Sequence, residues 1–233
     1  MRIAILLTSN DTSDFARRFP DDGQKFIALM KPFRPDWDYT VFPVIDDVFP
    51  EHADDFDGYV ITGSPASVHD PFPWVARLLA FIREIIAQDV PLIGACYGHQ
   101  AIALALGGEV GTNPQGWVVG TAETEFEPQD WMEPPHHCLT LHAAHKEQVS
   151  RLPEGAKTIG ITPGCPFAAF TIGTRVMTTQ YHPEMSAQFM NELIVEMGNA
   201  LTLDQAKLAH AQIATGEQGA VYGEWMVRFL ERG

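Results

Sequence analysis

Pro91-Leu92-Ile93-Gly94-Ala95-Cys96-Tyr97-Gly98-His99-Gln100-Ala101-Ile102-Ala103-Leu104-Ala105-Leu106-Gly107-Gly108 decides the fold reading of this 233-residue chain. The stretch begins as a short apolar run suited to a strand buried on both faces. It continues as an apolar helix that stops at the Gly107-Gly108 pair. At the junction the spacing is glycine-x-nucleophile-x-glycine, with a thiol in the central place. A sharp strand-to-helix turn leaves no room for β-carbons beside that residue, which accounts for both glycines. Cys96 stands at the helix N-terminus, where the partial positive charge favours thiolate over thiol. The Tyr97 N–H points the same way and is suited to a developing oxyanion. A free cysteine is more often a small buried hydrophobe, so the turn alone leaves both readings open.

Outward from this turn, strand and helix alternate. Residues 2–7 are a buried strand that ends in the polar stretch 8–13. Phe26, Ile27, Leu29, Met30 and Phe33 then recur at helical spacing until Pro32 and Pro35 close the helix. Residues 38–44 and 57–61 read as strands, the second running into the turn Thr62-Gly63-Ser64-Pro65. Residues 74–87 form an amphipathic helix. This alternation predicts a three-layer α/β sandwich with a mostly parallel central sheet. From 108 to about 179, short strands separated by Gly and Pro turns predict a small antiparallel extension, with candidates at 118–126, 158–161, 168–172 and 175–180. Residues 186–201 return to helix. The last thirty residues are also helical, with Trp225, Met226, Phe229 and Leu230 as the docking face. No repeat, low-complexity tract or linker interrupts the chain. It is therefore expected to be one domain over residues 1–233, with a helical extension from about residue 202.

Composition narrows the function. Thirty acidic against fifteen basic residues give a formal charge of -15, a surface that repels phosphate backbones and anionic lipid, so neither nucleic acid nor membrane is expected as a partner. Three scattered cysteines make no disulfide framework, and no signal peptide or transmembrane segment is read. Together these predict a soluble cytoplasmic protein.

The second chemical motif is Tyr181-His182-Pro183-Glu184, 86 positions after the cysteine (182 - 96). If residues 175–180 are a strand beside the turn, His182 emerges at the same sheet edge, and Glu184 can hydrogen-bond its other ring nitrogen and fix the tautomer. On its own, His182 reads as a turn histidine beside a proline. Ala95-Cys96-Tyr97-Gly98-His99-Gln100 together with Tyr181-His182-Pro183-Glu184 resembles the class I glutamine amidotransferases. The likeness is greatest to stand-alone members similar to the glutaminase part of GMP synthase. Residues 61–68, Ile-Thr-Gly-Ser-Pro-Ala-Ser-Val, resemble the family's oxyanion loop, and the likeness extends over about residues 3–189.

The resemblance implies a flavodoxin-like fold, a γ-glutamyl thioester on Cys96 and release of ammonia. It makes His182 the general base and then acid, with Glu184 as its orienting carboxylate. It also implies an oxyanion hole at Gly63-Ser64 and Tyr97, and substrate contact by Gln100. Residues 113–120 match the family's substrate-side strand, so Trp117 and Val118 become substrate-binding candidates, although Trp117 reads equally as core. The family's His-Gly loop corresponds to residues 143–149. Here His145 is followed by Lys146 where glycine is common, and a Cβ and a long cation at that place narrow or reposition the amino-acid end of the site.

No cofactor is expected, and no P-loop for ATP chemistry is present. His136, His137, Cys138, His142 and His145 form a His/Cys-rich stretch. Its spacing matches no structural zinc signature, so these are read as loop and strand residues and no metal is expected. Three functions follow in order. The first is glutamine amide hydrolysis supplying ammonia to a separate synthetase or acceptor. The second is hydrolysis of a γ-glutamyl peptide by the same triad. The third is a non-catalytic subunit that binds a partner.

Overall fold

A computed structural model describes residues 1–232. Its elements are β1 (Arg2–Leu7), α1 (Asp22–Met30), β2 (Asp38–Pro43), β3 (Gly58–Ile61), α2 (Pro73–Ala87), β4 (Leu92–Ala95) and α3 (Tyr97–Ala105). After these come β5 (Glu109–Thr112), β6 (Val118–Phe126), β7 (Cys138–His145), β8 (Glu147–Arg151), β9 (Ala156–Thr162), β10 (Cys165–Ile172) and β11 (Val176–Thr179). The helices α4 (Ala187–Met197), α5 (Leu203–Ile213) and α6 (Gly219–Leu230) complete the described chain.

Nine strands form one sheet in the order β2-β1-β3-β4-β11-β10-β9-β6-β7. The five from β2 to β11 run parallel, and the remaining pairings are antiparallel. The inner strands β1, β3 and β4 are apolar runs covered on both faces, whereas the edge strand β2 alternates between exposed and half-buried positions. Along β1, Ile3 and Ile5 enter the layer of α1 and α6, whereas Ala4 and Leu6 enter that of α2 and α3. The three layers are thus visible as period-two alternation within one strand. The helix ends follow local chemistry. Asp21 caps α1 by accepting from the Gln24 N–H at 2.8 Å, and α2 begins with Pro73 in its first turn.

Trp225, Met226, Phe229 and Leu230 are buried on α6, as the sequence predicts. Three strands lie outside the predicted set: β5, β7 and β8. The pair β5–β8 forms its own small sheet. β7 buries Leu139, Leu141 and Ala143 on alternate positions, a pattern interrupted by the buried His142.

The order 2-1-3 puts a topological switch beside β1, where open α/β sheets form a crevice at the carboxyl ends of their strands. Thr8, just past β1, ties the loops together there. Its N–H donates to Thr62 Oγ1 at 3.0 Å, and its hydroxyl donates to the Gly63 carbonyl at 2.9 Å. Among the described residues, no helix is long and apolar enough to cross a membrane.

Candidate active site

Cys96 lies between β4 and α3 with φ 49° and ψ -101°, a conformation that costs an L-residue about 1–3 kcal/mol and is kept only where its surroundings enforce it. The Cys96 N–H donates to the Thr179 carbonyl at 2.8 Å, and the Gly98 N–H donates to the Thr62 carbonyl at 3.1 Å. The flanking glycines are required by close approach. A Cβ on Gly94 would lie 2.6 Å from the Gly98 carbonyl carbon, and one on Gly98 would strike the Ile61 carbonyl. The Tyr97 ring turns away from the crevice to pack on Trp74, with ring centroids 5.6 Å apart. Its backbone N–H, in the first helical turn, has no intrahelical acceptor.

β11 runs parallel to β4 in register Thr179↔Ala95, so residues 180–184 leave the sheet beside Cys96. His182 is held by its backbone N–H donating to the His142 carbonyl at 2.9 Å. His142 is itself fixed by its Nδ1 on the Met185 carbonyl at 2.8 Å. His182 Nδ1 lies 2.8 Å from Glu184 Oε1, and both side chains are buried. Burial by itself would lower the imidazole's pKa, but the Glu184 carboxylate and the Cys96 sulfur reverse that, holding His182 well above its ordinary value. With Nδ1 on the carboxylate, Nε2 is the nitrogen left to face the sulfur. Gly63 closes the other side. A Cβ there would sit 2.8 Å from His182 Cε1 and 3.7 Å from Cys96 Cβ, so any side chain would wedge into the Cys96–His182 pair.

The crevice has two lobes that share Ser64, Pro65, Trp117 and Ala144. The first, about 270 Å³, holds Cys96, Gln100, His145, Lys146 and Glu147. The second, about 220 Å³, holds Gly63, His182 and a set of apolar side chains from α4 and its surroundings. Trp117 is therefore a wall between lobes as well as part of the apolar packing around α4. Val118 is placed outside the crevice, packed against the core beneath the sheet. Gln100 is buried, its Nε2 donating to the Glu147 carbonyl at 2.8 Å and to Gln180 Oε1 at 3.2 Å. His145 is buried with Nδ1 3.0 Å from the Glu147 carbonyl, and burial brings its pKa down to about 4. It is neutral at pH 7.

Two crevice groups carried no sequence signal of their own. Glu147 opens β8 and extends its carboxylate into the first lobe, where Ser67 Oγ donates to it at 2.8 Å. Gln180 Nε2 lies 3.7 Å from Cys96 Sγ. Glu147 adjoins Lys146 in the loop that the resemblance had already singled out, but only the fold turns its carboxylate toward Ser67, 80 residues away. Cys138 and Cys165 lie away from the crevice, and burial pushes the Cys165 thiol up to about 11. Among the described residues, no three His, Cys, Asp or Glu side chains are grouped so as to hold a metal ion.

A strained cysteine and a carboxylate-paired histidine meet beside a crevice at the sheet's carboxyl edge. Residues 35–198 match the model of the class I glutamine amidotransferase family, and the chain belongs to that family. It is 28% identical to γ-glutamyl peptidase 2 of Arabidopsis thaliana, over 77% of this chain and 70% of the relative. It is 35% identical to the glutamine-hydrolysing GMP synthase of Acinetobacter baylyi over 55% of this chain, a match that spans 23% of that longer protein. The solved structure of a glutamine amidotransferase from Methylobacillus flagellatus superposes with a TM-score of 0.75 at 23% identity, covering 98% of this chain and 93% of the other, which establishes the shared fold.

Proposed function

We propose that the protein is a cysteine amidohydrolase that cleaves the side-chain amide of glutamine through a γ-glutamyl thioester on Cys96. The observation that carries this reading is the His182–Glu184 pair at 2.8 Å beside Cys96. The Cys96 sulfur attacks the γ-carbonyl carbon, and the tetrahedral oxyanion accepts from the Ser64 and Tyr97 N–H groups. The C–N bond breaks as His182 Nε2 gives its proton to the leaving nitrogen. The same nitrogen then takes a proton from water, which attacks the thioester carbon, and the C–S bond breaks to release glutamate and restore the thiolate.

Gln100, His145, Lys146 and Glu147 surround the amino-acid end of the substrate in the first lobe. The Glu147 carboxylate is the natural partner of an α-ammonium there, and Lys146 of an α-carboxylate. Ammonia passes to a separate synthetase or acceptor. Residues 1–233 act as one catalytic unit, with α5 and α6 as its helical extension. Trapping with hydroxylamine tests the chemistry: γ-glutamyl hydroxamate should form from glutamine, and rapid-quench mass spectrometry should find the γ-glutamyl group on the Cys96 peptide. A γ-glutamyl group on Cys138 or Cys165, or none at all, rejects the reading.

A second reading is favoured by one observation. The lobe beside His182 is far larger than ammonia needs, which supports γ-glutamyl compounds with a larger amine, such as peptides, as substrates of the same triad.

A further inference from the structure

The lobe beside His182 has a chemical character of its own. Its walls are Phe15, Met185, Phe189, Leu193, Met197 and Trp117. At about 220 Å³ it exceeds the roughly 150 Å³ of an apolar cavity that takes up benzene. It adjoins the first lobe along Ser64, Pro65, Trp117 and Ala144, and His182, the group that protonates the leaving nitrogen, lies in its wall, whereas Gln100 and Glu147 line only the first lobe. An amine that takes its proton from His182 has this lobe as its adjoining space.

The charges of the lobe matter as much as its size. The carboxylates at its wall are Asp11 and Asp22. Asp22 is buried and paired with Lys25 Nζ at 2.7 Å. Lys25 also lies 3.6 Å from the centre of the Phe189 ring, so this cation is already committed. No Lys or Arg lines the lobe. The amine part of a γ-glutamyl amino acid carries an α-carboxylate, which would enter a mainly apolar space with two acids at its wall and no cation but His182, itself paired with Glu184. Stripping a carboxylate of water without a partner is strongly unfavourable.

We infer that the protein hydrolyses γ-glutamyl amides of apolar amines that lack a carboxylate, the arylalkylamide class, with the amine held among Phe15, Phe189, Leu193 and Met197. This deepens the amidohydrolase reading and rests on it. The γ-glutamyl C–N bond breaks, the amine takes its proton from His182, and water later cleaves the thioester.

The test compares kcat/KM for glutamine, γ-glutamyl-phenethylamide and γ-glutamyl-phenylalanine. The two larger substrates differ only by the carboxylate. The wild type should prefer the phenethylamide over γ-glutamyl-phenylalanine by about tenfold or more. Leu193→Lys, which puts a cation into the lobe, should shrink that preference about fivefold or reverse it. Leu193→Trp, which fills the lobe, should lower the phenethylamide-to-glutamine ratio about tenfold. Ratios are taken within each protein, so a loss of folded enzyme cancels. Equal or better use of γ-glutamyl-phenylalanine by the wild type overturns the inference, as do ratios that neither variant moves. Turnover of glutamine alone overturns it while leaving the amidohydrolase reading intact. Turnover of none of the three removes both.

Discussion

Two buried histidines, one at the end of β11 and one at the end of β7, have opposite electrostatics. Burial brings the His145 pKa down to about 4, and its one polar partner, the Glu147 backbone carbonyl, offsets that only in part. His182 is as deeply buried, yet it is held well above its ordinary value because the Glu184 carboxylate and the Cys96 sulfur flank it. His99, buried in α3 against a threonine hydroxyl, goes the way of His145, down to about 3. Burial disfavours the charged form at all three places. A carboxylate and a sulfur decide which imidazole can move a proton at neutral pH. Within the His/Cys-rich stretch, His142 pins the His182 turn.

The sharpest way to break this contrast is to remove the members of the charged cluster. Cys96→Ala should lower ammonia release by about 10⁴-fold or more, and His182→Ala nearly as much, because neither thioester formation nor amine protonation has a substitute. A His145→Ala variant as dead as His182→Ala would erase the distinction. Thiol reactivity comes next. A glutamine-like electrophile at pH 7.5 should label Cys96 about 100-fold faster than Cys165, whose thiol burial has pushed up to about 11, or Cys138, raised by burial and Glu123. Peptide mapping of a partially labelled sample reads this directly, and faster labelling of Cys138 or Cys165 rejects the assignment.

Glu184→Gln should cost less, about 10- to 100-fold in kcat, since an amide still orients the ring but no longer stabilises the imidazolium. The same change should lower the His182 pKa, visible as an upfield titration of its ring protons by NMR. It should also alter stability with a defined sign. Because the folded pKa of His182 is raised, the contribution of the charged pair is complete below the unfolded value of about 6.5 and is lost as pH rises through the folded value. The Tm gap between wild type and Glu184→Gln should therefore be widest near pH 5.5 and narrow toward pH 9, and a gap independent of pH contradicts this account. The smallest effect belongs to the β7–β8 corner. Lys146→Gly should change KM for glutamine about two- to fivefold while leaving kcat nearly constant, and an unchanged KM means that this loop does not touch the substrate.

Local sequence alone determined the parallel half of the molecule. Continuous apolar runs such as Ile3 to Leu6, the glycines around Cys96 and the proline stops are local signals, and strands buried on both faces have no other use for such composition. The cysteine and the His-Pro-Glu turn were legible for the same reason, since an elbow and a carboxylate two residues from an imidazole are short-range patterns. Tertiary structure decided the rest. β7 carries a histidine among its buried positions, so its alternation is broken in sequence, and only the fold supplies the Met185 carbonyl that satisfies the buried His142. Val118 and Trp117 are neighbours in sequence, but successive residues entering a strand face opposite ways, and only the fold puts Trp117 in the crevice and Val118, half-buried, against the core. Glu147 and Gln180 reach the crevice through partners 80 and 84 residues away, and the lobe beside His182 is assembled from the loop before α1, the turn after β11 and the face of α4. No window of sequence contains such a cavity, because its shape is set by which elements the sheet order brings side by side.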